Sequence, residues 1–187
     1  RIGVLRNGEE LISDESVELA AYFTLVSASY DNTVKKIDSS GNEVWTFGEF
    51  TNVLYDVAVD SDGFVYAASS ENGLKKIDPD GNEVWAFNGH GTYVRAVAVD
   101  SSGNVYSGGA DETVKKIDPD GNEVWTFSGH TSNVAGVAVD SNGYVYSAST
   151  DYNVKKIDPD GNEVWTFLYG EYSRVTDVAV DSNGNVY

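Results

Sequence analysis

The hydrophobic positions of residues 94–127 fall into four short runs that are separated by turn sequences. These runs are rich in β-branched and aromatic residues and are bounded by Gly, Pro, Asn and Asp, a pattern that predicts β-strands. In chain order, strands a, b, c and d cover residues 94–99, 104–108, 113–117 and 123–127. Because the connections a–b and c–d are short turns containing Gly, we expect a four-stranded antiparallel sheet.

The first and last strands of this unit differ in their hydrophobic pattern. Strand a contains Val97-Ala98-Val99, which is apolar on both faces and predicts a strand covered on both sides. Strand d alternates instead, with Trp125 and Phe127 on one face and Val124 and Thr126 on the other. The pattern therefore places strand a at a crowded centre and strand d outside, with its Trp packed on the next sheet.

The whole unit recurs along the chain. Four tryptophans stand 40 residues apart, each within the phrase Gly-Asn-Glu-Val-Trp, and we expect all four to be structural: Trp45, Trp85, Trp125 and Trp165. A single four-stranded sheet cannot bury both of its faces, so consecutive sheets must stack. Regular units with tight turns favour a ring over a solenoid. We predict an all-β fold, a β-propeller of four-stranded antiparallel blades with about 40 residues per repeat, four blades plus the start of a fifth.

The two ends of the chain are interpreted from the same repeat. Residues 23–187 are assigned to the propeller, and residues 1–22 to a connection to an upstream region, either a hairpin around Asn7-Gly8 or a short helix. Strands b, c and d, three complete sets, and a fifth strand a at 175–180 could close a ring of four blades. A fragment of a longer chain with more blades, or closure with a second molecule, is equally compatible with the repeat.

Several phrases resemble known propeller repeats over residues 24–187. The sequence at 97–106, Val-Ala-Val-Asp-Ser-Ser-Gly-Asn-Val-Tyr, is similar to the a–b unit of NHL-type propellers. Gly129-His130 and the stretch 107–114 resemble WD40 repeats, and Asp-Gly-Asn-Glu-Val-Trp resembles quinoprotein-like repeats. WD40 blades imply a His–Ser/Thr–Asp–Trp network, but here Ile117 stands at the strand c Trp position and Glu71 at one turn Asp. The resemblance therefore implies only part of that network.

Charge and composition narrow the function classes. The chain has 30 acidic and 12 basic residues, a net charge of −18, which disfavours nucleic-acid partners. No apolar run reaches the length of a membrane span, so we expect no membrane insertion. An acidic coat of this density suggests either plain solubility or adaptation to high salt. Cysteine is absent, which excludes disulfides and thiolate chemistry and leaves the compartment open.

Candidate chemistry is scarce. The phrase 118–123, Asp-Pro-Asp-Gly-Asn-Glu, looks like the start of a calcium loop but lacks the later ligands, so we predict a type I turn. His90 and His130 have no third ligand beside them and are expected to be structural. The Lys115-Lys116 pair, which recurs in every repeat, should cover aromatic rings and meet carboxylates. We predict no catalytic residue, no metal and no cofactor.

The loops that vary between repeats are the candidates for specificity. The d–a loops and the b–c turns differ from blade to blade and share one face, whereas the other turns are nearly copied. That face carries aromatic and Arg residues typical of binding hot spots, and we predict contact with a protein or glycan partner there. The predicted binding residues are Tyr30, Phe50, Tyr93, Arg95, Tyr152, Tyr169, Tyr172 and Arg174.

The function predicted from these observations is a non-enzymatic scaffold. We expect a surface-exposed or structural component of a larger assembly, such as a virion tail, a fibre or a cell surface, in a halophile, with an extracellular, cell-surface or virion location. A homo-oligomer is compatible with this role. The alternative is a quinoprotein-like or other enzyme-associated propeller domain.

Overall fold

The computed structural model describes residues 2–4, 25–71, 73–170 and 173–187. The described residues form four antiparallel four-stranded sheets and no helix, which confirms the predicted class of four-stranded blades. Blade 1 contains β1 (Ile2–Val4), β2 (Leu25–Ala28), β3 (Val34–Ile37) and β4 (Glu43–Phe47). Blade 2 contains β5 (Leu54–Val59), β6 (Val65–Ser69), β7 (Leu74–Ile77) and β8 (Glu83–Phe87). Blade 3 contains β9 (Val94–Val99), β10 (Val105–Gly109), β11 (Val114–Ile117) and β12 (Glu123–Phe127). Blade 4 contains β13 (Val134–Val139), β14 (Val145–Ser149), β15 (Asn153–Ile157) and β16 (Glu163–Leu168).

Within each blade the strands follow one another in space in chain order. In blade 3, Val99 lies opposite Val105 and Lys116 lies opposite Trp125, and blades 2 and 4 repeat these pairings. A register shift recurs where strand c meets strand d, beside Ile117 in blade 3. The predicted limits of strands a and d match the structure, and those of b and c differ by one residue.

The end segments differ in part from expectation. Ile2–Val4 pairs antiparallel with β2 and takes the position of strand a in blade 1, whereas the sequence analysis assigned residues 1–22 to a connection outside the propeller. A free β2 edge offers unpaired backbone groups, and even three extended residues can satisfy them. The predicted hairpin at Asn7-Gly8 and the alternative helix lie outside the described residues.

The fifth repeat is represented by a short hairpin. Val180 and Val186 form one bridge, and Ala179 and Tyr187 exchange two backbone hydrogen bonds of 3.1 and 2.9 Å. The first turn of a fifth blade is therefore present, whereas residues 175–180 do not form a regular strand.

The hydrophobic core lies between the blades. The first cluster joins Val26, Val34 and Phe47 of blade 1 to residues of blade 2, among them Leu54 and Ile77. Equivalent clusters join blade 2 to blade 3 and blade 3 to blade 4. We call each of these interfaces between consecutive blades a seam. Because every seam is built from one face of each of two sheets, no blade has a core of its own. The part of the chain described here includes no helix long and apolar enough to cross a membrane.

Candidate interaction surface

The tryptophans of strand d anchor each blade to the next. Trp45 Nε1 donates a 2.9 Å hydrogen bond to the Pro79 carbonyl, and Lys36 Nζ donates to the same oxygen at 2.9 Å. Gly81, in the same turn, has φ +93°, and a Cβ placed there would lie 3.0 Å from the Trp45 ring. The indole bonds from Trp85 to Pro119 and from Trp125 to Pro159 repeat this geometry. These contacts give the predicted packing of strand d Trp on the next blade.

The nearly invariant turns lie together at one end of the blades, which we call the lower face (a–b and c–d turns). Asp100 Oδ1 accepts from the backbone N–H groups of Ser102 and Asn104, and its Oδ2 accepts from the Tyr106 hydroxyl at 3.0 Å. Burial, with Asp100 nearby, raises the pKa of the Tyr106 hydroxyl, which keeps it protonated and able to donate. The lower-face carboxylates therefore serve their own turns.

The turn beginning at Asp118 shows why the calcium-loop resemblance does not extend to ligand geometry. Asp118 accepts from the side chain and the backbone N–H of Asn122, and these bonds hold its pKa below the usual range. Gly121 has φ +91° and closes the predicted turn. Among the residues that the structure describes, no group of three or more His, Cys, Asp or Glu is arranged to hold a metal ion.

The paired lysines have two separate roles. Lys115 Nζ lies 2.9 Å from Glu123 Oε2 and 2.7 Å from Thr126 Oγ1 on its own blade. Lys116 points the other way and lies over the Tyr106 ring, with Nζ 5.6 Å from the centroid. The pair therefore makes the expected ion pair and ring contact, and its two ammonium groups do not converge on a common ligand.

The variable loops form the opposite end of the blades, the upper face (d–a loops and b–c turns). In blades 2, 3 and 4 a backbone hydrogen bond joins the b–c turn to the residue before strand a: Ser70 to Val53, Ala110 to Tyr93 and Thr150 to Asn133, at 2.8–3.0 Å. Because this bond uses only backbone atoms, it leaves the side chains at these positions free to vary. The upper face thus combines a fixed backbone with different side chains in each blade.

One group of upper-face side chains packs together, and we call it the aromatic–arginine cluster (Tyr55, Tyr93, Arg95 and Asn133). The guanidinium carbon of Arg95 lies 5.4 Å from the Tyr55 ring centroid, and the Tyr55 and Tyr93 rings are 6.3 Å apart. With its amide oxygen turned toward Arg95, the orientation that satisfies both of its ends, Asn133 accepts from Arg95 Nη1 at 3.0 Å and donates to the Ala110 carbonyl at 3.2 Å. The Tyr93 side chain remains about half exposed. The Arg95 guanidinium therefore lies over the half-buried Tyr55 ring, which in turn contacts the exposed Tyr93 ring.

The other predicted binding residues have different surroundings. Tyr30 and Tyr169 are exposed, Arg174 is exposed near the blade 4 edge, and Tyr152 is half-buried with φ +71°. None of these residues belongs to the aromatic–arginine cluster, and Tyr172 lies outside the described residues. Of the predicted set, the structure brings together Tyr93 and Arg95 in the cluster, and Tyr169 and Arg174 line one cleft beside blade 4.

Phe50 corrects the predicted set. It is only 5% exposed, belongs to the first core cluster and packs edge-on against Phe47 with centroids 5.5 Å apart. It occupies the position that His90 and His130 take in the later d–a loops. Its ring therefore contributes to the seam and is not available for binding.

His90 and His130 are buried beneath the upper face, where each contacts an Asp of a b–c turn and a Ser of strand b. His130 Nδ1 lies 2.9 Å from Asp151 Oδ2, and Nε2 lies 2.8 Å from Ser147 Oγ. His90 makes the same contacts with Asp111 and Ser107. Burial lowers the pKa of both imidazoles against the opposing effect of the carboxylates. The predicted partial network is therefore present in blades 3 and 4, without a Trp member.

Tyr55 and Asn133 are cluster members that the sequence analysis missed. The signal was present, because the second residue of strand a changes from Tyr55 to Arg95 to Ala135, whereas the Val two residues later is the same in all three blades. The analysis searched the loops, and Tyr55 lies within β5 where the strand emerges at the upper face.

Comparison with known proteins places this geometry in a family. The chain is similar to a structure described as "Crystal structure of WD40 beta propeller domain of Doa1", with a TM-score of 0.80 and 25% sequence identity. The match covers 87% of this chain and 56% of that chain, so this chain spans little more than half of its length. In all, 1163 solved chains match, so the shape alone does not select a ligand. The comparison with curated proteins gave no match. The model of the IP5P C-F beta-propeller family matches residues 23–156, well over half of the chain, and the chain therefore belongs to this family of β-propellers.

Proposed function

We propose that this chain is a non-enzymatic scaffold that binds a protein partner at its upper face. The observation that carries the proposal is the aromatic–arginine cluster, in which Arg95 is oriented by Tyr55 and Asn133 beside the exposed Tyr93 ring. Tyr and Arg are over-represented among the residues that dominate binding energy. Such a site suits a segment that brings an oxygen acceptor to Arg95 and an apolar side chain to the rings.

The distribution of bonded groups supports an interaction role over catalysis. Asp118 and its equivalents are bonded to their own turns, and His90 and His130 are bonded to Asp and Ser in blade interiors. These groups recur from blade to blade, whereas a reaction centre usually requires one asymmetric constellation. The alternative, a quinoprotein-like propeller, predicts that added quinone binds and changes its absorption spectrum in the presence of the chain.

The experiment compares two faces of one molecule. The Tyr55→Ala, Tyr93→Ala, Arg95→Ala triple variant removes the cluster, and Asp120→Asn is the control because Asp120 is exposed on the lower face. Peptide and glycan arrays probed with the wild-type chain identify the ligand class. We expect the triple variant to lose at least tenfold in affinity for the selected peptide and the control to lose none. Binding that survives in the triple variant, or selection of glycans alone, contradicts the proposal.

A surface-exposed place in a larger assembly of a halophile is part of the same proposal. Its support is the net charge of −18, since carboxylates keep a surface hydrated in concentrated salt that screens their repulsion. We expect the melting temperature to rise steadily from low salt to about 1 M KCl, where the Debye length is about 3 Å. A flat or falling melting curve contradicts the salt adaptation and leaves the upper-face proposal intact.

A further inference from the structure

The b–c turns of blades 1, 3 and 4 each contain a non-glycine residue in the left-handed region of backbone conformation. Asn32 and Glu112 both have φ +69°, and Tyr152 has φ +71°. Asn adopts this conformation more readily than most other residues, whereas Glu and Tyr are strained there. Because such strain clusters at functional sites, Glu112 and Tyr152 mark positions where the side chain is expected to act outside its own turn.

Glu112 is the clearer of the two cases. Its side chain is exposed, and within the described part of the chain its carboxylate makes no hydrogen bond and no ion pair. Tyr152 is half-buried and has contacts inside the molecule. The Glu112 carboxylate therefore forms no polar contact that offsets the strain of its backbone, and it is available to a charge that another molecule brings.

The turn that carries Glu112 is fixed by several hydrogen bonds. Asp111 lies 3.0 Å from His90 Nδ1 and accepts from the Gly91 backbone N–H at 3.3 Å. The Glu112 N–H donates to the Gly109 carbonyl at 3.3 Å. A charged group on such a preorganised turn loses less conformational freedom on binding than a group on a mobile loop.

Arg95 places a charge of the opposite sign on the same blade. Its Nη1 donates to Asn133, which donates in turn to the Ala110 carbonyl, two residues before Glu112. Among the residues that the structure describes, neither Arg95 nor Glu112 has an ion-pair partner. Blade 3 therefore presents one cation and one anion at the upper face, and the two do not neutralise each other.

The separation of these two charges matches a short extended segment. Arg95 lies on β9, and Glu112 lies in the turn that leads into β11, with β10 between these strands. Two strand spacings of about 4.8 Å each amount to about 10 Å. An extended peptide rises about 3.3 Å per residue and so covers this distance in about three residues.

We propose that the partner segment carries two opposite charges about three residues apart, an acidic group that pairs with Arg95 and a basic group that pairs with Glu112. This inference rests on the proposed function and adds the charge pattern and the direction of the bound segment. The segment lies across the upper face of blade 3, from strand a toward strand c, and an apolar residue between its charges contacts the exposed Tyr93 ring. Segments with two acidic or two basic residues are disfavoured, because each places a like charge against Glu112 or Arg95.

The first test measures the charge pattern. The probe is an array of short peptides in a Gly-Ser background, each with one Leu and with one Glu and one Lys in every relative placement. We expect the wild-type chain to bind peptides whose Glu and Lys are about three residues apart, with Leu between them. Peptides with two Glu or two Lys should bind at least tenfold more weakly. Equal binding of all charge patterns overturns the proposal.

The second test separates the charge of Glu112 from the strain of its backbone. Glu112→Gln removes only the charge, so it should lose at least tenfold in affinity for the selected peptide and keep the wild-type melting temperature. Glu112→Asn also relieves the strain, and its melting temperature should rise by about 2–4 °C. Asn32→Gln is the matched control, since it introduces the same strain at the same φ in blade 1. It should lower the melting temperature by a similar amount and leave the affinity unchanged.

The third test reverses the charge. Glu112→Lys should bind peptides with two Glu at least tenfold more tightly than peptides with one Glu and one Lys. A Glu112→Lys chain that keeps the wild-type preference overturns the pairing of Glu112 with a basic group.

The outcomes distinguish this inference from the proposed function. Binding that is lost in the Tyr55→Ala, Tyr93→Ala, Arg95→Ala variant but is complete in Glu112→Gln overturns the charge pattern and leaves the upper-face site intact. A wild-type chain that binds no peptide of the array overturns both.

Discussion

The seam between blades 3 and 4 and the outward face of strand d in blade 4 contain the same residue types in different surroundings. Trp125 donates to the Pro159 carbonyl at 3.0 Å and lies against Gly161, and Phe127 is 8% exposed. Trp165 packs on Tyr146, as Trp125 packs on Tyr106, but it is 36% exposed. The comparison shows that strand d sequence is not enough to bury a Trp, since the next blade completes its surroundings.

The largest expected effect comes from removing a Trp on each side of this comparison. Truncation of a buried Trp to Ala typically costs about 3–5 kcal/mol, and we expect about 3 kcal/mol for the partly buried Trp125. Trp165→Ala should cost less than about 1 kcal/mol because none of the described residues places a c–d turn of a following blade against its ring. Both free energies are measured by urea unfolding. Equal losses contradict the importance of the seam.

Two glycines allow the effect of the Trp contact to be separated from the effect of a positive φ. Gly121 and Gly41 have φ of +91° and +86°, so Ala at either position pays a similar conformational cost of about 1–2 kcal/mol. Only at Gly121 does the new methyl also meet a Trp, with Trp85 Cγ 3.1 Å away. We expect Gly121→Ala to be the more destabilising by a further 1–3 kcal/mol or so, the usual cost of overpacking. Urea unfolding of the two variants measures the difference.

The buried imidazoles of His90 and His130 predict that the stability of blades 3 and 4 depends on pH. Blade 2 has Phe50 at the equivalent position and no such dependence is expected there. Burial lowers the pKa of His130, so below about pH 6.5 the unfolded chain binds a proton that the folded chain resists. Stability should therefore fall as the pH drops below about 6.5, by at most about 1.4 kcal/mol per pH unit for each His. His130→Phe copies the residue at position 50 and should flatten this slope between about pH 6.5 and 5. An unchanged slope in the unfolding free energy rules out His130 as a source.

The smallest effect is expected on the outer surface. Lys35 and Glu43 form a 2.8 Å ion pair whose side chains are 36% and 51% exposed. Solvent screening limits exposed pairs of this kind to about 0–1 kcal/mol. Glu43→Gln should therefore leave the free energy of unfolding almost unchanged, and any difference should shrink further in about 1 M salt. A larger loss assigns this pair a structural role that its exposure does not suggest.

The sequence predicted the repeated parts of the fold well because their determinants are local. The limits of β9 and β12 follow from their hydrophobic runs and from turns that contain Asp, Pro and Gly. Phe50 could not be placed in this way, since its burial depends on Phe47 and on neighbours across the seam. The pairing of β1 with blade 1 was missed for a similar reason, because its partner β2 is more than twenty residues away in the chain.

The candidate site was predicted only in part. Tyr93 and Arg95 were identified from loop variation. Their contact with Tyr55 joins two blades and depends on the distance between those blades at the upper face. Spacing along one chain does not give such distances between sheets.

The central claim is that a backbone carbonyl of the next blade holds the strand d Trp of blades 1, 2 and 3 through a hydrogen bond. Hydrogen exchange of the four indole Nε1–H groups, followed by NMR, tests this claim directly. We expect slow exchange for Trp45, Trp85 and Trp125, whose indoles donate to Pro79, Pro119 and Pro159, and fast exchange for Trp165. Four indoles that exchange equally fast would contradict the account.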